Sequence, residues 1–133
     1  TFRFLPGAER LVTDLTDEAD FDAVFVLDAG DLRRTGDPVA ERAPVLINID
    51  HHPGSNFGDI CYLDISAAAT AVLIHRVLKA CSLTLDQDIA LPLYAGLLSD
   101  TGSFRYANSN PFRGPVAELN RSVSTPARCS IEV

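Results

Sequence analysis

The chain has 133 residues, 47% of them hydrophobic, and a formal net charge of −7 at pH 7. This length and composition predict one globular domain with a single core. The acidic balance argues against broad electrostatic capture of nucleic acid, so any phosphate ligand must be held locally. No apolar run approaches the roughly 18 residues of a membrane span, and three cysteines without CxxC spacing favour a reducing compartment. We therefore expect a soluble, cytoplasmic protein with no membrane partner.

Three apolar runs predict strands of a parallel sheet. Segments 23–27 and 45–49 are too short for helices and are continuously apolar, as in strands buried on both faces. The polar connection between them could contain a helical turn at 38–42. A third strand is predicted at 59–64, after a cluster of turn residues.

Two helices are predicted to follow the strands. Segment 66–82 is amphipathic, with apolar residues at 73, 74, 77, 78 and 81 and with His75 on the polar side. Thr84 and Gln87 have the spacing of a capping box for a second helix that ends near Leu98. Pro92 lies inside that helix and should kink it. We expect an α/β fold with an open, mainly parallel sheet flanked by helices.

Polar residues stand where the predicted elements end. Asp28 and Asp50 close the first two strands, His51 and His52 follow at once, and Asp100 ends the second helix. The carboxyl ends of parallel strands form the edge at which α/β sheets bind ligands. Carboxylate and imidazole donors without sulfur favour Mn²⁺ over a structural Zn²⁺. Such an ion can promote phosphoester hydrolysis.

Each of these residues also has a structural interpretation. An aspartate at a strand end is most often a turn or cap residue, which is the reading preferred for Asp59 and Asp64. His51 alone would be assigned a structural role, and His75 has only a structural reading. Small core positions are expected for the three cysteines, which are Cys61, Cys81 and Cys129.

Three arginines lie close in sequence to the predicted metal ligands. A guanidinium is suited to binding phosphate, but a solvated or salt-bridged arginine is an equally good reading. The three are Arg33, Arg34 and Arg105.

Several segments resemble successive motifs of the DHH phosphoesterase superfamily. They are "VLDAGDLRRTG", "NIDHHPGSNFGD" and "AATAVLIHRVLKA", the last followed by "ALPLYAGLLSDTGSFRYANSNP". The likeness runs from about Phe2 to about Pro111 and is strongest to the bacterial oligoribonuclease and pAp-phosphatase branch, which is RecJ-like. It implies a Rossmann-like DHH domain at 1–111 and leaves 112–133 as an unassigned tail.

The resemblance implies a two-manganese hydrolase of short oligoribonucleotides (nanoRNA) or of nucleoside 3′,5′-bisphosphate (pAp). Asp28 would bridge the metals, and His51 and Asp100 would ligate one of them. His52 would face the substrate phosphate or the attacking water, while Asp50 would orient the histidines. Arg105 is assigned to substrate binding.

The chain also departs from the family pattern. The HxxPDxDA-like first motif would lie upstream of Thr1, and the Gly-rich, His-containing substrate domain has no counterpart in the chain. Pro92 replaces an ordinary helix former. We therefore expect a truncated DHH domain, incomplete at its N-terminus, that holds at most one ion weakly.

Two alternatives stay open. One is a catalytically inactive fragment that binds a nucleotide or a partner chain. The other keeps the chemistry but takes inorganic pyrophosphate or polyphosphate as substrate. Substrate length and homodimer formation also stay open.

Overall fold

The computed structural model describes residues 2–13, 21–36 and 43–105, together with Leu119 and Ser122. The predicted turn at 38–42, Cys129 and nearly all of the 112–133 tail lie outside these residues. No helix in the described part of the chain is long and apolar enough to cross a membrane. The strands are β1 (Val24–Leu27), β2 (Leu46–Asp50) and β3 (Ile60–Leu63), and the helices are α1 (Thr70–Ala80) and α2 (Gln87–Asp100), with 3₁₀ turns at Ala8–Arg10 and Leu32–Thr35.

The three strands form one parallel sheet in the order β1-β2-β3. Val24 lies opposite Leu46, and Ile47 lies opposite Ile60. The predicted α/β fold with a mainly parallel sheet is confirmed. Because all three strands run the same way, the residues that follow β1 and β2 share one edge of the sheet.

Each face of the sheet contributes to an apolar cluster. Ile49 packs with α1 and α2 through Leu73 and Leu97, while Val26 and Leu46 pack on the other face. The apolar strand pattern predicts burial of Val24, Val26, Leu46, Ile47 and Ile49. Three of them are buried, while Val24 and Ile47 are half-buried. Full coverage of both faces is not seen within the described ranges, where 58% of Phe25 and 54% of Ile60 are exposed.

Helix α1 begins later than predicted, and a larger part of its surface is buried than the sequence pattern indicated. Ala69 is extended (φ −160°, ψ 152°), so the helix starts at Thr70. His75 is buried, at 3% exposure, and the prediction of an exposed histidine was wrong. It lies three residues after Val72 and therefore on the same side of a helix that contacts both β2 and α2.

The predicted core role of the cysteines was wrong for the two that are described. Cys61 and Cys81 are free and exposed. Cys61 lies on β3, an edge strand of the three-stranded sheet, and Cys81 follows the last turn of α1. They were predicted to be buried because cysteine is a small, apolar residue, but neither of these two positions lies in the core.

Helix α2 is capped by Asp86, not by the predicted Thr84. The Asp86 carboxylate accepts a hydrogen bond of 2.9 Å from the backbone N–H of Ile89. The predicted capping box was wrong because an aspartate directly before the first helical residue caps it at the ordinary N-cap position. Pro92 lies inside the helix as predicted and provides no backbone donor for the carbonyl of Asp88.

Gly58, just before β3, occupies a position where a side chain cannot fit. Its φ is +91°, and an added Cβ would lie 2.8 Å from the Leu46 carbonyl oxygen. Gly54 has a similar φ of +81° with nothing within 4 Å, so it is a matched control.

We expect Gly58→Ala to lower the free energy of unfolding by about 1–3 kcal/mol more than Gly54→Ala. Both variants place an alanine in a left-handed conformation, but only the Gly58 variant also pushes its Cβ against the Leu46 carbonyl. Urea denaturation of the two variants measures the difference. Equal losses would show that β3 tolerates a shift away from β2.

Candidate metal centre

Three side chains from three elements meet at the carboxyl edge of the sheet. His51 Nε2 lies 3.5 Å from Asp28 Oδ1 and 3.6 Å from Asp100 Oδ2. Asp28 follows β1, His51 follows β2 and Asp100 ends α2. Two ligands of one ion at about 2.1 Å and at right angles lie about 3 Å apart, so each carboxylate lies close to the distance from His51 Nε2 that a shared divalent ion requires. The donor set and spacing therefore fit such an ion.

Asp28 has a strained backbone and a fixed side chain. Its φ is +60°, a left-handed conformation that an aspartate tolerates better than most residues do. The Thr70 hydroxyl donates a 2.8 Å hydrogen bond to Asp28 Oδ1. Sequence reasoning missed Thr70, because a threonine at a helix start carries little signal beyond helix capping.

His51 is held in one tautomer by the backbone. Its Nδ1 lies 3.1 Å from the Ala67 carbonyl oxygen, which can only accept, so Nδ1 carries the proton. The lone pair is then on Nε2, the atom that faces Asp28 and Asp100. An imidazole oriented by a carbonyl in this way is a typical metal ligand.

Asp50 is completely buried, and both of its carboxylate oxygens accept hydrogen bonds. Its Oδ1 accepts from the backbone N–H groups of His51 and His52, at 2.7 and 2.9 Å, and from His52 Nδ1 at 2.8 Å. Its Oδ2 accepts from the Gly30 N–H at 2.7 Å and from the Ser55 hydroxyl at 2.6 Å. Burial alone would raise the pKa of Asp50, but these hydrogen bonds outweigh it and hold the pKa far below its usual value.

Asn48 and Ser55 continue this buried network and were missed by sequence reasoning. Asn48 Nδ2 donates to both the Ser55 carbonyl and the Ser55 hydroxyl at 3.1 Å, and both residues are fully buried. A polar residue inside the apolar run "VLINI" was the available signal, since a buried asparagine needs partners.

His52 presents its second nitrogen away from Asp50. The ligand atoms of Asp28, His51 and His52 lie within 4.8 Å of one another. His52 Nδ1, 3.7 Å from Asp28 Oδ1, already donates to Asp50. Nε2 is therefore its free nitrogen, and with 40% of the side chain exposed His52 is accessible to a substrate.

Asp100 is unfavourable as an anion in the metal-free chain. Burial raises its pKa, and the nearby charge of Asp28 raises it further, while His51 and His52 partly offset the effect. A divalent cation between the carboxylates would remove this repulsion.

Arg105 lies beyond α2 and is exposed. Within the described segments its contacts are backbone hydrogen bonds to the carbonyls of Thr101 and Gly102. Its predicted substrate role stays a prediction.

The chain is similar to bacterial proteins of known name. It is 36% identical over 112 residues to the bifunctional oligoribonuclease and PAP phosphatase NrnA of Thermus thermophilus, covering 82% of this chain and 33% of that protein. It is 31% identical over 90 residues to the NrnA of the same description from Bacillus subtilis, covering 65% and 29%. A crystal structure of an exopolyphosphatase-related protein from Bacteroides fragilis superposes with a TM-score of 0.74 at 26% identity, covering 91% of this chain and 38% of the other. No protein-family model matches the chain.

The fold and these relatives confirm the resemblance to the DHH phosphoesterases, with the Asp50-His51-His52 triplet at the end of β2. Within that class the chain is a homologue of the NrnA proteins, at 31–37% identity. It spans about a third of the length of these relatives.

We expect Ser55→Ala to lower the free energy of unfolding by about 1–3 kcal/mol, because it removes a donor from a buried carboxylate. Ser66→Ala is the matched control, since the Ser66 hydroxyl also donates to a carboxylate, that of Asp64, but at an exposed site. The control should lose no more than about 0.5 kcal/mol. Chemical denaturation at neutral pH measures both.

The Ser55→Ala effect should also depend on pH. The lowered pKa of Asp50 stabilises the fold above the usual carboxyl value of 3.8, and this contribution is lost as the pH falls through the folded-state pKa. The difference between wild type and Ser55→Ala should therefore shrink in acid. A difference that grows below about pH 4 would contradict the role given to Ser55.

Proposed function

We propose that this chain is part of a metal-dependent phosphoesterase that hydrolyses short oligoribonucleotides or nucleoside 3′,5′-bisphosphate in the cytoplasm. The relatives named for oligoribonuclease and PAP phosphatase activities support the substrate class. The single observation that carries the proposal is that Asp28 and Asp100 both lie within 3.6 Å of His51 Nε2, the ring nitrogen that does not face the Ala67 carbonyl.

The residues of the site have distinct proposed roles. Asp28, His51 and Asp100 would hold Mn²⁺, which when bound supplies a hydroxide near neutral pH and positive charge for phosphoryl oxygens. His52 would direct Nε2 at the substrate phosphate or the attacking water. Asp50 would keep the His52 ring oriented by accepting from Nδ1.

We propose that the chain by itself binds the ion weakly. Two carboxylates lie within 3.6 Å of His51 Nε2, so the proposed cage has three protein donors, carries two carboxylate charges and is open. Mn²⁺ binding should therefore be weaker than at a closed site with more ligands.

The Bacteroides neighbour, whose title describes it as exopolyphosphatase-related, favours a second candidate substrate, polyphosphate. A panel of pAp, a 5′-phosphorylated diribonucleotide, pyrophosphate and polyphosphate, assayed with Mn²⁺, separates the two. Binding of nucleotide without any hydrolysis would instead support the inactive binding fragment.

The two histidines of the triplet should separate metal binding from chemistry. We expect His51→Ala to remove most of the thermal stabilisation given by Mn²⁺, because it removes a ligand. His52→Ala should retain that stabilisation but lose hydrolysis, since its Nδ1 is committed to Asp50. Thermal melts with and without Mn²⁺ and phosphate release measure the two effects.

The buried His75 is not a suitable surface control for this experiment. Arg76→Ala serves better, because Arg76 is exposed on α1; it loses an ion pair with Asp64, but the Mn²⁺-dependent change in melting temperature and the rate of hydrolysis should stay unchanged. If His52→Ala abolished Mn²⁺ binding as fully as His51→Ala, the roles given to the two rings would be wrong.

Asp100→Asn should stabilise the metal-free chain while weakening Mn²⁺ binding. The raised pKa of Asp100 means that its contribution to stability is fully present below the usual value of 3.8 and is lost as the pH rises. Near pH 7 we expect an increase in the melting temperature of about 3–5 °C in EDTA. This gain should disappear below about pH 4, where Asp100 itself becomes neutral.

The matched comparison is Asp88→Asn, an exposed aspartate in the first turn of the same helix. It should not be stabilised, because its charge there interacts favourably with the helix dipole. Loss of metal-free stability in Asp100→Asn would argue that the carboxylate is structural.

A further inference from the structure

The three arginines that the sequence placed near the site are not equivalent in the fold. Arg33 is tied to Asp31 by Nε at 3.0 and 3.1 Å and by Nη2 at 2.6 Å from the two carboxylate oxygens. Hydrogen bonds from Arg33 lower the pKa of Asp31 to about 2. With its guanidinium already occupied by a carboxylate, Arg33 is poorly placed to receive a phosphate.

Arg34, the next residue, lies beside His52. A Cβ placed on Gly30 would be 3.5 Å from Arg34 Nη1 and 3.6 Å from His52 Cγ, so the guanidinium and the imidazole border the same space above Gly30. Gly30 has φ +69° and donates its N–H to Asp50. This hydrogen bond holds the backbone that lines one side of the space. The absence of a side chain at Gly30 keeps the space open.

The Arg34 guanidinium is available to a ligand. Arg34 is exposed, and across the described segments it forms no ion pair. Its backbone is held by the 3₁₀ turn Leu32–Thr35, where its N–H donates to the Asp31 carbonyl at 3.0 Å. The Arg34 side chain therefore extends from an ordered turn that follows β1, the strand that ends just before Asp28.

A substrate phosphate needs a cation at this place. Asp28, Asp50 and Asp100 make the edge of the sheet negative, which repels an anionic ligand unless charge is supplied locally. The planar guanidinium donates to two phosphate oxygens at once, which an ammonium group cannot do as well.

We propose that Arg34 binds the non-bridging oxygens of the substrate phosphate that faces His52, and that it sets the preference of the site for phosphate-bearing ligands. This inference rests on the proposed function and adds to it the residue that recognises the phosphate. It places phosphate recognition on Arg34 in preference to Arg105, the arginine that the sequence analysis assigned to substrate binding.

The test is isothermal titration of Mn²⁺-loaded chain with inorganic phosphate and with a 5′-phosphorylated diribonucleotide. We expect Arg34→Ala to weaken both by about tenfold or more, because a hydrogen-bonded charge is lost. Arg34→Lys should recover part of the affinity, since it restores the charge without the paired donors. Wild-type affinity should also fall more steeply with salt than that of Arg34→Ala.

Arg33→Ala is the matched control and should bind phosphate as the wild type does. Arg105→Ala tests the competing assignment, and it should weaken phosphate binding less than Arg34→Ala does. Mn²⁺ affinity, measured first in each variant, should be unchanged. If the wild type bound no Mn²⁺, the proposed function itself would fail. If Mn²⁺ bound but phosphate binding were absent, indifferent to Arg34, or lost in Arg105→Ala, the inference about Arg34 would be overturned while the metal site stood.

Discussion

The buried carboxylate of Asp50 is the constraint on which the site depends. Its two oxygens accept five hydrogen bonds that join the end of β1, through Gly30, to the turn after β2, through His52 and Ser55. A buried anion is costly unless it is fully hydrogen-bonded, so each donor is held in place by the need to satisfy the charge. The same bonds set the path of the Asp-His-His turn, and that path brings the His51 side chain to the proposed metal position.

The carboxyl edge of the sheet contains features that are unfavourable for the stability of the metal-free chain but suited to binding a cation. Asp28 has a left-handed backbone, and its carboxylate lies near that of Asp100 around His51. Strain and like-charge repulsion of this kind persist where the surrounding structure enforces them, and they are concentrated at functional sites. Thr70 and the Ala67 carbonyl supply that enforcement, since they fix Asp28 and His51 without adding charge. The arrangement is thus unfavourable when empty and favourable around a cation.

The sequence predicted the parts of this structure that follow from periodicity and chain direction. Short apolar runs predicted the strands, and parallel strands bring Asp28 and His51 to one edge, so their meeting could be expected before any coordinates. The residues that orient them could not, because Thr70 and Ser55 act through tertiary contacts that no local pattern encodes. The apolar run around Asn48 signalled a buried polar side chain but not its partner. Sequence also misplaced His75, since the width of the buried arc of a helix depends on how many elements cover it. The choice among the three arginines depended in the same way on which partner each side chain meets in space.

The surroundings of the metal position add to its preference for a cation. A cavity of about 350 Å³ borders the site, with Leu27, Ile74 and Pro92 among its apolar walls and Asp28 and Asp100 at its margin. Apolar walls lower the local dielectric, which strengthens both the repulsion between the two carboxylates and the attraction of either for a divalent ion. The burial that raises the pKa of Asp100 therefore also increases what a bound ion would gain. On the other side of His52 the exposed Arg34 stands in water, where it can meet an anionic substrate without a comparable cost of desolvation. The two halves of the site thus differ in solvation as well as in charge, which favours the proposed metal position on the buried side of the histidine pair and the proposed phosphate position on the open side.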